Sequence, residues 1–380
     1  MEEEDHDYPI EPQKMFDGNE DIRRRILLSL WSLFGLSSGE QSILPRWIMN
    51  HLRDSYDYTC MGLVGCRSDK TAYPCCEYDF VSMTPMPKRN LTVKVNSDTY
   101  LEVFSLPEEL NNLTGEQLYP FLTMKFAGGN ELLFSALQGI IDSAGPNSIR
   151  ADFSLSRLID ASSMAHKAQE SREKGEFLDC SFWILSATNA VATSIISRGR
   201  SQFHPSHVLD SLRGQMKIDG DIWNANALYQ ALGLSEANNS SLLRRTRGLD
   251  ELILATLELQ EGPPEVVSTR LKLLKAKAAW MKSSHMAAQA YCYLGFEVVS
   301  ILGMIYTKYC QHEGIPPHQT RVLSEVERAE RPYRITSSVL NKVGLIHQET
   351  VVEERLDGIL KSLDLIKSST FNSLGDSINP

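Results

Sequence analysis

Over most of the chain hydrophobic positions recur at intervals of three and four residues, the spacing of amphipathic helices. Segments 21–36, 43–52, 114–126, 130–142, 154–174, 178–198, 204–217, 222–232, 265–285, 286–311, 324–329, 337–343 and 351–367 follow that period. Residues 182–196 are apolar nearly all round, which predicts a central buried helix. In 351–367, Leu356, Ile359, Leu360, Leu363 and Ile366 line one side. One segment departs from this period. Thr92 to Val95 alternates, Asn96-Ser97-Asp98 turns, and Thr99 to Phe104 alternates again, predicting a β-hairpin over 91–106. Residues 54–90, with Pro74, Pro85 and Pro87, read as irregular, and Gly128-Gly129 reads as a turn between helices.

The fold class that follows is mainly α. Two helical domains are expected, the N-terminal one carrying a small β-hairpin, with a groove between them and flexible arms at both ends. The polar run 234–248 (LSEANNSSLLRRTRG) marks the boundary. The organisation is then an acidic arm over 1–21, an N-terminal domain over 22–235, a C-terminal domain over 236–350, and a terminal helix and arm over 351–380. There is no internal repeat at solenoid periods.

Charge changes the picture more than composition does. The formal net charge is −10, which taken alone argues against a polyanionic partner. Yet residues 1–21 hold nine acids against one base, and 349–380 hold six against three, so the body between them is near neutral. The acidic run suits either a solvated tail or a docking arm. Val266 to Phe296 contains no Asp or Glu, and carries Arg270, Lys272, Lys275, Lys277 and Lys282. At 100° per residue, Leu271, Leu274, Ala278, Met281 and His285 form an apolar stripe. Lys272, Lys275 and Lys282 fall on one flank of it, Arg270 and Lys277 on the other. A helix packed by that stripe would offer cations at both margins, as one wall of a polyanion groove requires. Arg198, Arg200, Arg213 and Lys217 could supply the facing wall, and Arg244, Arg245 and Arg247 lie at the boundary. Trp280, Tyr291 and Tyr293 are nearby aromatic partners for bases, Tyr291 being the one placed in the candidate site. Each cation taken singly also fits a solvated helix face.

Other chemistry finds less support. The run 286–307 is long enough to span a bilayer, but Gln289, Glu297, Gly295 and Gly303 interrupt it, so a core helix and no membrane association are expected. Arg23-Arg24-Arg25 and the apolar residues after them have the order of a signal peptide. They follow an acidic run, however, and lack a cleavage pattern. Phosphate-binding glycine loops and nucleophile elbows are absent from the sequence. Cys60, Cys66, Cys75 and Cys76 have the spacing C-x5-C-x8-C-C, wider than the usual pairing of zinc ligands, so neither metal nor cofactor is expected. His204 and His207 flank Pro205 and read as helix-start histidines. Cys–His nucleophilic chemistry stays open, since such partners meet in space. With no disulfide framework, the seven cysteines fit a reducing compartment.

The arm, the helical domain with its β element, the boundary near 240, the helical C-terminal domain and the terminal extension together form a pattern. So does the small-residue and aromatic segment Ser284-His285-Met286-Ala287-Ala288-Gln289-Ala290-Tyr291-Cys292-Tyr293-Leu294-Gly295. This whole-chain pattern resembles the nucleoproteins of non-segmented negative-strand RNA viruses, and in size is most similar to those of the fungal mymonaviruses. The proline-containing part of the better-known family pattern is absent. The resemblance implies a non-enzymatic protein that polymerises along single-stranded genomic RNA, held without sequence preference in the inter-domain groove. It also implies self-association through the terminal arms, a viral phosphoprotein and polymerase as partners, and residence in the virion nucleocapsid and host cytoplasm. The acidic arm would then compete with RNA for a basic surface. A helical scaffold without nucleic acid, and a thiol or metal hydrolase built on the Cys60–Cys76 region, are the competing readings.

Overall fold

The computed structural model describes residues 59–84, 91–96, 99–107, 113–199, 202–219, 225–259, 264–316, 321–345 and 348–376, together with Leu44, Trp47, Ile48 and Leu52. The acidic run 1–21, the helix read at 21–36 and most of 43–52 lie outside the described residues.

The fold is mainly helical with a small N-terminal sheet. Its strands are β1 (Cys60–Val64), β2 (Tyr78–Thr84), β3 (Leu91–Lys94), β4 (Tyr100–Pro107) and β5 (Lys125–Gly129), in the order β3-β4-β2-β1-β5. The predicted hairpin is β3–β4, antiparallel with Lys94 opposite Tyr100. β4 runs parallel to β2, and β1 is antiparallel to both β2 and β5. β1 and β2 fall in the stretch read as irregular, for a physical reason. Both faces of the sheet are covered, so the outward polar position that reveals a strand is missing. Tyr78 and Phe80 join Met61, Leu63, Leu101 and Val103 in one cluster with Leu44, Ile48 and Leu52. Cys60, Val64, Val81 and Met83 pack on the other side with Leu118, Phe121, Leu137 and Ile141.

β5 replaces the end of the helix expected over 114–126. A capping box from Thr114 and Gln117 starts a single turn, α2 (Gly115–Leu118), after the equally short α1 (Gly65–Ser68). Pro120, in the 3-10 turn that follows, has no amide hydrogen with which to continue the ladder. Gly128-Gly129 is consequently a strand end and not a turn between helices. Gly129 sits at φ +90°, where an added Cβ would lie 2.4 Å from the Thr59 carbonyl oxygen.

The remaining helices are α3 (Glu131–Ala144), α4 (Pro146–Glu173), α5 (Phe177–Arg198), α6 (Val208–Asp219), α7 (Ala225–Ala231), α8 (Asn239–Leu259), α9 (Pro264–Ser283), α10 (Ala287–Glu313), α11 (Leu323–Arg328), α12 (Ser337–Lys342) and α13 (Glu349–Asp376). α5 is the central helix its composition foretold, packed by α4, α6, α7 and α13. α5 and α10 are long and apolar enough to cross a membrane by length alone, but the apolar window of α5 is 100% buried within the protein and that of α10 61%. The polar run at 234–248 is not a linker. Asn238 Oδ1 accepts from the backbone of Ser240 and Ser241 at 3.0 Å, which starts α8. Leu242, Leu249, Leu252 and Ile253 of α8 then join one continuous core that extends from Leu158 to Ile366, so residues on both sides of position 235 share it.

Candidate functional site

α8 and α9 are successive helices that pack against each other and are joined by a Lys275–Asp250 ion pair of 2.7 Å. The α9 stripe packs as its period requires: Leu274, Ala278 and Met281 are buried and Leu271 half-buried. His285 lies past the helix end, exposed at φ +60°. Lys272 and Lys282 are exposed on one flank, and Arg244 and Arg247 are exposed on α8. None of these four makes an ion pair with a described carboxylate.

The other candidate residues are distributed differently. Arg213 and Lys217 are exposed on α6, Arg213 lying 3.8 Å from Asp210. Arg198 is half-buried and donates through Nε to Ser154 Oγ at 3.1 Å. Arg200 lies outside the described residues. Arg270 pairs with Glu297 of α10 at 3.0 Å. Three candidates are interior. Arg245, 2% exposed, donates to the carbonyls of Val343 and Tyr291 at 2.9 Å, its guanidinium 3.6 Å from the Tyr291 ring centre. It ties α8 to α10 and to the turn after α12, and Tyr291 is as buried as its partner. Lys277 is buried and donates to Glu77 Oε1 at 2.6 Å. The sequence period placed Lys277 correctly at the margin of the stripe. That margin, however, is where α9 covers the sheet at β3.

Around Lys277 the sheet gathers three carboxylates, Glu77, Asp79 and Glu102, whose nearest oxygens lie within 4.8 Å of one another. Burial and the charges of Glu77 and Glu102 hold the Asp79 carboxyl well above its ordinary range. Burial lowers the Lys277 ammonium, but Glu77, Tyr293, Cys76 and Asp79 together outweigh it and the net shift is well upward. Lys277 thus sits among three acids and pairs directly with Glu77, and the Asp79 carboxyl is disfavoured as an anion.

Next to this group lies a buried thiol–imidazole cluster. β1 ends at Gly65, whose φ of +75° turns the chain into α1 and places Cys66. A turn closed by Cys76 N donating to Tyr73 O at 3.0 Å presents Cys75 and Cys76 ahead of β2. Arg67 pins this segment by donating to the carbonyls of Cys76 and of Glu77, the latter at 2.8 Å. His207 arrives from a segment 131 residues away, its Nε2 3.3 Å from Cys76 Sγ. The ligand atoms of Cys66, Cys76 and His207 lie within 4.8 Å of one another, and all three residues are buried. Cys75, next to Cys76 in the chain, is half-buried. Burial pushes the Cys76 thiol up, but hydrogen bonds from Cys66, Cys75 and His207 outweigh it and leave the thiol well below its ordinary value.

Gln289 of α10 positions His207. It donates to Ser206 O and accepts from Leu209 N, both at 2.9 Å, and so fixes the backbone on either side. A second strut is His204, whose Nε2 is 2.9 Å from Asp69 Oδ2. Burial raises the Asp69 carboxyl, but His204 and Thr71 more than reverse it. Sequence reasoning saw Cys66, Cys75 and Cys76 without their histidine. The available signal was the adjacent cysteine pair after Pro74, not the ligand spacing, since no local spacing can report a partner brought in by another element.

No protein-family model matches the sequence, and no curated protein is significantly similar to it.

Proposed function

We propose that this chain is a nucleoprotein that binds single-stranded RNA through its phosphates and polymerises along it as the template for a viral polymerase, with a viral phosphoprotein as a further partner. The observation that supports this reading best is the α8–α9 face. Arg244, Arg247, Lys272 and Lys282 are exposed there without carboxylate partners among the described residues, on a body that is otherwise near neutral. Cations free of internal partners are the ones that can exchange counterions for phosphates, whereas Arg245 and Lys277 are already committed to internal partners. Lys275 can join them only by giving up Asp250.

The test is the salt dependence of binding to a fluorescent single-stranded RNA. Each phosphate contact contributes roughly −0.7 to the slope of log affinity against log salt. Replacing Arg244, Arg247, Lys272 and Lys282 together by Gln is expected to flatten that slope by about 3 in log units, if each holds one phosphate. An unchanged slope would remove this face from the RNA path. A protein-only scaffold is the second reading, favoured by Leu243 and Leu254, which stand exposed on the same row of α8. Such a scaffold would bind RNA weakly, and the four substitutions would leave its assembly intact.

A further inference from the structure

We propose that Cys66 Sγ, Cys76 Sγ and His207 Nε2 bind a zinc ion. Zinc at ordinary bond lengths holds a thiolate and an imidazole nitrogen roughly 3.6 Å apart, and two thiolates about 3.8 Å apart. The Cys76–His207 separation of 3.3 Å and the mutual spread of the three ligand atoms, within 4.8 Å, are of that scale. Soft thiolates with one imidazole select zinc over the oxygen-seeking cations. The supports are those a ligand set needs: Gln289 fixes the histidine backbone, and Arg67 fixes the carbonyls of Cys76 and Glu77.

Burial decides between this and a Cys–His nucleophile. Cys66 is 3%, Cys76 4% and His207 2% exposed, so a substrate has no way to reach the dyad. A site shut off from solvent in this way is structural. It would tie the β1–β2 connection to the start of α6, the N-terminal sheet to the helical body, across 131 residues. The inference does not depend on the RNA reading.

The experiment is elemental analysis of the full chain, purified without a metal-affinity tag after expression with added zinc. About one zinc per chain is expected. Less than about a tenth of that, or a disulfide between Cys66 and Cys76 in peptide mapping, would overturn the proposal. Cys66→Ser and His207→Gln should each lose at least about ten-fold in zinc affinity, and the remote buried variant Cys310→Ser should lose none. Equal losses in all three would overturn it. Should the ligand variants fail to fold, the wild-type chain loaded with cobalt decides. Thiolate-to-cobalt charge-transfer absorption with intense tetrahedral bands is expected, and their absence would overturn the assignment.

Discussion

Arg245 and Arg247 stand two residues apart on α8 and do opposite things. Arg245 is a buried cation whose donors satisfy two carbonyls, and its removal leaves a cavity and two unpaired acceptors. Arg245→Ala is expected to cost about 3–4 kcal/mol in denaturant unfolding, while the fraction that remains folded keeps its RNA affinity. Arg247→Ala should change stability by less than about 0.5 kcal/mol and weaken RNA binding instead. The pair also shows what was legible at this scale. Composition marked both as basic, but only the packing of α10 and the turn after α12 separates the structural arginine from the free one.

Asp79 gives the residue scale its pH dependence. Its folded carboxyl titrates above the unfolded one because burial, Glu77 and Glu102 all disfavour the anion. The sign follows from linkage. Stability from a raised carboxyl is fully present below the unfolded value near pH 4 and is lost as pH rises through the higher folded value. Asp79→Asn keeps the neutral shape and removes that loss. It is expected to raise stability at pH 8 and to change it little at pH 4. Thermal unfolding at the two pH values checks this, and an equal effect at both would refute the assignment.

At the scale of elements, helices with one buried face were legible, and their ends were set by chemistry that is also visible in the sequence. α8 shows the limit. Its polar start at Asn238 and Ser241 looks like a linker because capping residues and linker residues are the same residues. What distinguishes them is the apolar period that resumes at Leu242 and Leu249. Asn238→Ala should cost about 1 kcal/mol, measured by urea unfolding, because two backbone amides lose their acceptor. β1 and β2 were not legible, since strands covered on both faces carry no alternation, and Gly62 and Ser82 weaken the apolar run further. The thiol–imidazole cluster was missed for a related reason: its histidine is placed by Gln289, a polar residue inside a largely apolar helix. The same glutamine argued against a membrane span, and the structure gives it that second task.

The whole molecule joins a small sheet, buried on both faces, to a helical body with one core running from Leu158 to Ile366. Buried polar groups stand where the two meet, at Lys277 with its carboxylates and at Cys66, Cys76 and His207. Arg244, Arg247, Lys272 and Lys282 are exposed on α8 and α9 without an ion pair among the described residues. This division explains why the net charge misleads and why an acid-free segment alone did not separate binding cations from structural ones. It also sets the most direct test of the RNA reading. The full chain, purified without nuclease at low salt, should carry an absorbance ratio at 260 to 280 nm well above that of protein and appear as rings or filaments in negative stain. A chain that emerges free of nucleic acid and stays monomeric when single-stranded RNA is added would contradict the account.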